Sequence, residues 1–239
     1  MKFSDILNEN KEFQQFKNAL TNPPVSTAGI VESALSHFII STYDGGGALV
    51  VMYSDDEAKS LYNDLKFFCD KVMYFPSREY VYYNIDALGH FLEQRRIRTL
   101  HSIKDSIVVT SLEACLDYTI PPKVLEENTL LIKSQEVYDL EKLSQKLVEM
   151  GYTRGDIVEG CGQFSVRGGI IDIFSPSEDF PYRIEFFDDE VDSVRMFDYV
   201  SQRTMNSLDE AVILPCREAI LIKEKRIEIA EKLKQKIKE

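Results

Sequence analysis

The sequence predicts an α/β protein in which a parallel-sheet domain carries a small inserted α+β domain. Three short apolar runs, at 48–53, 71–75 and 106–110, alternate with helical patterns, which is the order typical of a parallel sheet covered by helices. Residues 163–203 instead alternate polar and apolar side chains with a period of two, which is typical of antiparallel strands with one buried face. A proline pair at 121–122 separates the two patterns.

Residues 1–119 are assigned to the parallel-sheet domain. Its predicted helices lie at 1–20, 28–40, 54–68, 88–103 and 111–118. Ser54 precedes three acidic residues and is predicted to cap its helix, because a serine oxygen accepts from the free N–H groups of a first turn. Three glycines at 45–47 come before a strand, whereas a phosphate-binding loop follows one, so they are interpreted as a turn.

The inserted α+β domain is assigned to residues 120–205, and residues 206–239 to a return into the first domain. The predicted elements are an edge strand at 129–132, a helix at 138–150, a strand at 164–174 interrupted by two glycines, a hairpin at 181–198, a strand at 211–214 and a charged helix at 222–238. In the hairpin, Arg183, Glu185 and Phe187 alternate with apolar side chains and are predicted to face outward. An arginine and a phenylalanine therefore share the exposed face.

The charge balance favours a protein partner over nucleic acid. The chain has 28 Lys+Arg against 40 Asp+Glu, a net charge of -12, which opposes binding to a phosphate backbone. No lysine occurs from residue 147 to residue 222, although that segment contains arginines, which are favoured at protein interfaces where lysine is depleted. The basic cluster is Arg95, Arg96, Arg98, His101 and Lys104. It is interpreted as a solvated helix face, with a DNA-backbone site as the open alternative.

Other chemistry-bearing residues are given structural interpretations. Cys69, Cys115, Cys161 and Cys216 lie far apart in sequence and are interpreted as buried reduced thiols and not as a zinc site. Asp188-Asp189-Glu190 is interpreted as turn chemistry. The sequence has no secretory signal pattern and no apolar window of membrane-spanning length, so a cytoplasmic protein with no membrane partner is expected.

Two segments carry a resemblance to a known family. FSVRGGIIDIFSPS at 164–177 and PYRIEFFDDEVDSVRMFDYVSQRT at 181–204 resemble the module shared by bacterial transcription-repair coupling factors and the excision repair protein UvrB. The resemblance implies a small domain that docks on UvrA and interrupts a helicase-like first domain. The family's UvrA-contacting positions fall on Arg167, Arg183 and Phe187, and Arg195 on the neighbouring strand is a weaker candidate.

The resemblance favours the coupling factors over UvrB. A UvrB-type ATPase subunit would need a GxxxxGK[ST] loop, and residues 27–38 carry Ala34, Leu35 and Ser36 about where its glycine, lysine and threonine would stand. The expected function is a non-catalytic module that recruits UvrA, with no cofactor or metal of its own. The resemblance further implies an N-terminal part of a longer DNA translocase, whose other domains would bind ATP, Mg²⁺, DNA and RNA polymerase.

Two alternatives stay open at this point. One is the UvrB-type ATPase subunit itself, and the other is a structural module that packs on the parent's own C-terminal domains and holds it inactive. On the residues alone, Arg183 and Phe187 fit two arrangements equally well. In one they belong to an interface, and in the other Arg183 makes an intramolecular cross-strand ion pair while Phe187 lies under a loop.

Overall fold

The computed structural model of the chain describes residues 7–78, 86–220, 231 and 234–236. Its helices are α1 (Lys11–Ala19), α2 (Glu32–Thr42), α3 (Asp55–Lys66), α4 (Asp86–His101), α5 (Leu112–Leu116), α6 (Pro122–Glu127) and α7 (Leu140–Glu149). Its strands are β1 (Ala48–Met52), β2 (Val72–Phe75), β3 (Ile107–Ser111), β4 (Leu130–Lys133), β5 (Thr153–Arg154), β6 (Gln163–Arg167), β7 (Ile170–Ile173), β8 (Tyr182–Phe187), β9 (Glu190–Phe197), β10 (Thr204–Leu208) and β11 (Glu210–Ile213). The predicted helix at 222–238 lies mostly outside the described residues.

The chain divides into two compact units, residues 1–78 with 102–117, and residues 79–101 with 118–239. The first unit contains a parallel sheet of order β1-β3-β2. Helix α3 packs on one face of this sheet, and its buried Leu61 and Leu65 meet Ile107 and Val109 of the central strand. Ser54 caps α3 by accepting from the Glu57 N–H at 3.3 Å. The predicted parallel α/β arrangement is confirmed.

The second unit is built on a six-stranded sheet of order β10-β9-β8-β7-β6-β5. Its neighbouring strands are antiparallel, except that β5 and β6 are parallel, and β4 pairs separately with β11. Helix α7 begins at the Asp139 cap, ends before Gly151 at φ +92°, and places Leu143 and Leu147 in the core. We call the sheet face on this core the inner face and the opposite one the outer face.

The predicted interrupted strand at 164–174 is wrong in one respect. Residues 163–167 and 170–173 form two antiparallel strands, β6 and β7, that are joined by a tight turn at Gly168-Gly169. Gly168 has φ +59°, and a Cβ on Gly169 would lie 2.9 Å from the Phe186 carbonyl oxygen. The glycines therefore close a hairpin and let it approach β8. The predicted hairpin at 181–198 is confirmed as β8 and β9.

The interpretation of the basic cluster as a solvated face is wrong for Arg96. The Arg96 side chain is fully buried in the second unit, and its Nε donates to Glu218 Oε1 at 2.6 Å. Arg98 pairs with Asp179 at 2.5 Å. The Glu218 N–H in turn donates to Glu93 Oε1 at 2.7 Å. Arg96 is thus a buried structural cation, and it has no access to a DNA backbone.

The cysteines are free thiols, and they differ in burial. Cys216 is buried, Cys69 and Cys161 are half-buried, and Cys115 is exposed, so the prediction of four buried thiols is wrong for Cys115. None of the helices in the described part of the chain has both the length and the apolar character required to cross a membrane. The domain limits at 119/120 and 205/206 stay predictions; β11, which follows the second limit, pairs with β4.

The first prediction concerns the Arg96–Glu218 pair. Arg96→Ala or Glu218→Ala removes one side of a buried ion pair and should lower the free energy of unfolding by about 3–5 kcal/mol. The double variant Arg96→Met/Glu218→Leu should recover most of that loss, because no charge is then left buried. Urea denaturation followed by circular dichroism measures both effects.

Lys123→Ala is the matched control, because Lys123 pairs with Glu127 in solvent, with side-chain exposures of 85% and 61%. Its cost should stay below about 1 kcal/mol. Equal costs for Lys123→Ala and Arg96→Ala would contradict the assignment of a buried ion pair.

Candidate protein interface

The predicted site residues lie on the outer face of the six-stranded sheet. Along β8, Tyr182 and Ile184 point to the inner face and are buried, whereas Arg183 and Phe187 alternate with them and point outward. Arg167 is the last residue of β6, and Arg195 is the cross-strand partner of Arg183 on β9. The period-two pattern therefore placed Arg183 and Phe187 on the correct face, and the strand register adds Arg167 and Arg195 to it.

Asp172 is the anchor of this face. It lies on β7 directly opposite Arg183 and is only 1% exposed. Arg183 donates through Nε to Asp172 Oδ1 at 2.7 Å and through Nη2 to Oδ2 at 2.8 Å, which is a bidentate pair. Arg167 donates through Nη2 to the same Oδ2 at 2.7 Å. Two predicted interface arginines thus converge on one buried carboxylate, and the three side chains together carry one excess positive charge.

Further contacts fix the Arg183 guanidinium. Its Cζ lies over the Phe197 ring at 4.1 Å from the centroid, and its Nη2 also donates to Gln202 Oε1 at 3.0 Å. Hydrogen bonding to Asp172 raises the pKa of Arg183, so the group stays charged. The side chain keeps 17% of its surface exposed. Arg183 therefore makes the intramolecular ion pair that the sequence left as an alternative, and it still reaches the surface.

Gln202 is held in place by the loop at 198–203. Asp198 Oδ1 accepts from the Val200 and Ser201 N–H groups at 3.1 and 2.6 Å, and these bonds lower the pKa of Asp198. The Gln202 N–H donates to the Asp198 carbonyl at 2.7 Å, and Gln202 has φ +60°. The loop is thus closed on itself and presents the Gln202 side chain to Arg183.

Phe187 lies at the end of β8 and is 80% exposed. A two-residue turn follows, in which Asp188 takes φ +57°, and Phe187 pairs across it with Glu190. The alternative in which this phenylalanine lies under a loop is wrong. A large aromatic side chain held in solvent at a hairpin end is a feature that a binding partner can bury.

Arg195 is less available for a partner. Its Nη2 lies 3.1 Å from Glu185 Oε2, which also accepts from Ser193 Oγ at 3.2 Å. The side chain is 35% exposed, and its charge is balanced by Glu185. Its role as a contact stays a prediction, as do the roles of Arg167, Arg183 and Phe187.

Sequence reasoning missed Asp172, Phe197 and Gln202. Asp172 interrupts the apolar run at 170–174, and a lone carboxylate in such a run is a signal that a cation lies across the sheet. The partner could not be named, because cross-strand contacts depend on register. The contacts of Phe197 and Gln202 with Arg183 depend on how the chain closes at 198–203, which the sequence did not indicate.

A second candidate site in this unit is a cavity of about 350 Å³. Gln94, Cys161, Gly162, Cys216 and Arg217 are among the residues that line it. Burial raises the pKa of Cys161 to about 12 and shifts that of Cys216 in the same direction. A thiol of such a pKa is protonated at neutral pH and is a poor nucleophile. The cavity therefore has thiols without the electrostatics of a reactive cysteine site.

The thiols provide a direct test of these surroundings. At pH 8, iodoacetamide should label exposed Cys115 first and Cys161 slower by on the order of 10³-fold, because a pKa near 12 leaves very little thiolate. Peptide mass spectrometry over time measures both rates, and labelling in guanidinium chloride should remove the difference. Fast labelling of Cys161 in the folded protein would contradict the raised pKa.

Removal of Asp172 tests the anchor. Asp172→Ala deprives Arg183 and Arg167 of their shared acceptor and should lower the free energy of unfolding by about 2 kcal/mol. Glu185→Ala is the matched control, because it removes only the half-exposed pair with Arg195 and should cost less than about 1 kcal/mol. Thermal and urea unfolding measure both. An Asp172→Ala protein as stable as the wild type would show that the outer face does not depend on this carboxylate.

Comparison with known proteins gives one consistent family. Residues 130–218, which contain the whole anchored face, match the model of the UvrB interaction domain. The transcription-repair-coupling factor of Myxococcus xanthus is 32% identical over 216 residues, covering 84% of this chain and 18% of that protein. Those of Staphylococcus haemolyticus (strain JCSC1435) and Staphylococcus aureus (strain MRSA252) are each 28% identical, over 91% and 96% of this chain and 19% and 20% of the relative.

The chain therefore spans about a fifth of the length of these relatives. Its similarity to them covers both units and is not confined to the interaction domain. Residues 130–218 thus match the UvrB interaction domain, and the chain is similar, over most of its length, to one segment of the bacterial transcription-repair coupling factors.

Proposed function

We propose that this chain is the UvrB-homologous region of a transcription-repair coupling factor and that it recruits UvrA during nucleotide excision repair. The observation that carries the proposal is the outer face of the sheet within residues 130–218, which has Phe187 80% exposed and two arginines fixed on Asp172. Arg167, Arg183 and Phe187 are the proposed contacts. Arg195, next to Arg183 on β9, is proposed as a weaker contact at the edge of this surface.

The geometry of the arginines supports a binding role. Binding costs less when the contacting side chains are already ordered, and Arg183 is held by Asp172, Gln202 and the Phe197 ring before a partner arrives. Arg167 keeps 48% of its side chain exposed, and its contact with Asp172 uses one of its nitrogens. Because one carboxylate faces two guanidinium groups and neutralises only one of their charges, a partner carboxylate near Arg167 would complete the charge balance.

The catalytic work is proposed to lie elsewhere in the parent protein. The coupling factor would be an ATP-driven DNA translocase in the cytoplasm, with ATP, Mg²⁺, DNA and RNA polymerase bound by segments beyond the fifth that this chain represents. The first unit would be the remnant of a helicase-like domain without a phosphate-binding loop. No residue of this chain is proposed as catalytic or as a cofactor ligand.

The same exposed face supports a second candidate function. Exposure of a large apolar side chain such as Phe187 to water is unfavourable. A full-length protein could therefore cover it with its own C-terminal domains while UvrA is absent. Recruitment and masking would then exclude each other at one surface. This chain is the suitable protein for the binding test, because the domains proposed to mask the face lie beyond the fifth of the relatives that it represents.

The test is calorimetric titration of this chain into UvrA. Phe187→Ala should weaken binding by about 2 kcal/mol, or roughly 30-fold in Kd, because aromatic and arginine side chains dominate most interfaces. It should leave stability unchanged, because the ring is already in solvent. Arg183→Ala should weaken binding at least as much, but it also removes a partner of Asp172, so its unfolding curve must be measured beside its affinity.

Val148→Ala is the matched control. Val148 is 56% exposed on α7, which covers the inner face, so it should bind UvrA as the wild type does. Failure of the folded wild-type chain to bind UvrA would overturn the proposal and leave the intramolecular role as the better account of the face. If the Phe187→Ala protein binds UvrA with the same affinity as the wild type, the binding site lies away from this hairpin.

A further inference from the structure

The exposed surface does not end at Phe187. Val137, in the segment between β4 and α7, is 71% exposed. We infer that Val137 is part of the same binding surface and that UvrA meets Phe187 and Val137 with one apolar depression that has a cationic group at its centre. This inference rests on the proposed function and adds to it the chemistry of the partner surface.

Strand pairing places the two apolar side chains on either side of Glu190. Phe187 is the partner of Glu190 across the β8–β9 turn, and Val137 is its partner on the other side in an isolated antiparallel bridge. Residues directly opposite each other in antiparallel pairs project their side chains to the same face of the sheet. Phe187, Glu190 and Val137 therefore form one row on the outer face, and all three are exposed.

Val137 is held by its backbone. The Gln135 N–H donates to the Val191 carbonyl at 2.8 Å, the Val191 N–H to the Glu136 carbonyl at 3.0 Å, and the Tyr138 N–H to the Asp189 carbonyl at 2.9 Å. The segment thus continues the sheet beyond β9 for a few residues. A single exposed valine is common on protein surfaces. An exposed valine on a fixed backbone, in register with an exposed phenylalanine, costs little additional entropy to bury.

Tyr138 ties the same segment to β4. Its hydroxyl accepts from the Lys133 N–H at 3.2 Å and lies 2.6 Å from Glu136 Oε2. Immediately afterwards, Asp139 Oδ1 accepts from the Glu141 and Lys142 N–H groups and starts α7. Val137 therefore lies between two anchored points, and its side chain is presented in a defined direction.

The charges along the face run from positive to negative. Arg167 and Arg183 share Asp172 at one end, which leaves one positive charge in excess. The other end has the acidic turn residues, Asp188, Asp189 and Glu190, with Asp192 next to them. A complementary partner needs an acidic group at the first end, an apolar depression near the second, and a lysine or arginine opposite Glu190. The acidic end would repel a phosphate backbone, so the row fits a protein and not nucleic acid.

The experiment extends the UvrA titration to two positions. Val137→Ala should weaken binding about 5-fold, and Val137→Asp more than about 30-fold, because a carboxylate would have to be buried without a partner. Glu190→Lys should weaken binding at least about 10-fold, with a smaller effect at high salt, whereas Glu190→Gln should fall between it and the wild type. Val148→Ala serves again as the control with unchanged affinity.

The outcomes separate this inference from the function on which it rests. If the wild-type chain does not bind UvrA, both fail together. If the wild-type chain binds and Phe187→Ala weakens it, but folded Val137→Asp retains wild-type affinity, the extended surface is overturned and the recruitment role stands. Tighter binding by Glu190→Lys would overturn the cationic group in the partner depression. Should Val137→Asp not fold, the Val137→Ala titration decides, and unchanged affinity there overturns the inference.

Discussion

The outer face of the six-stranded sheet depends on a single buried carboxylate. Asp172 is 1% exposed in the middle of a sheet, where an unpaired charge would be strongly unfavourable. Arg183 satisfies it from the neighbouring strand β8 and Arg167 from β6 on the other side, so three strands are joined by side chains as well as by their backbones. The Phe197 ring and Gln202 then complete the surroundings of Arg183. This arrangement fixes the positions of Arg167 and Arg183, and Arg195 lies next to it as the cross-strand partner of Arg183.

The two faces of the sheet differ in what they contribute to the fold and to the proposed interface. The inner face buries Phe164, Ile171, Ile184 and Leu147 of α7, which stabilises the unit by removing apolar surface from water. On the outer face, Asp172 and Phe197 are buried, whereas Arg167, Arg183 and Phe187 reach solvent. Arg183 neutralises Asp172 and also reaches the surface, so its loss would affect stability as well as the proposed binding. Phe187 belongs to the surface alone, so its removal would test the proposed binding without a structural contribution.

The sequence could supply what depends on local pattern. The alternation along β8 placed Arg183 and Phe187 on one face, and the alternation of apolar runs with helical patterns predicted the parallel sheet of the first unit. Contacts between segments that lie far apart in the chain could not be predicted from the sequence. Arg96 resembles a solvated cation on a charged helix, and its partner Glu218 lies 122 residues further along the chain.

The same limit explains the other differences. Gly168-Gly169 could equally have marked a bulge within one strand, and only the pairing of β6 with β7 shows that it closes a hairpin. Asp172 and Val137 acquire their meaning from register and from a bridge to Glu190, neither of which can be obtained from a single sequence.

The anchor also accounts for an arginine and not a lysine at position 183, within a segment, 147–222, that contains no lysine. A lysine at position 183 would bring one compact ammonium group, which can pair with Asp172. It could not make two parallel hydrogen bonds to that carboxylate and also lie over the Phe197 ring. Arginine offers five N–H donors in a plane, and the described contacts of Arg183 with Asp172 and Gln202 use three of them. The guanidinium can therefore satisfy the buried carboxylate and still offer donors to a partner. In an acidic chain of net charge -12, the arginines of this face act through directed hydrogen bonds on a fixed frame and not through a general positive potential.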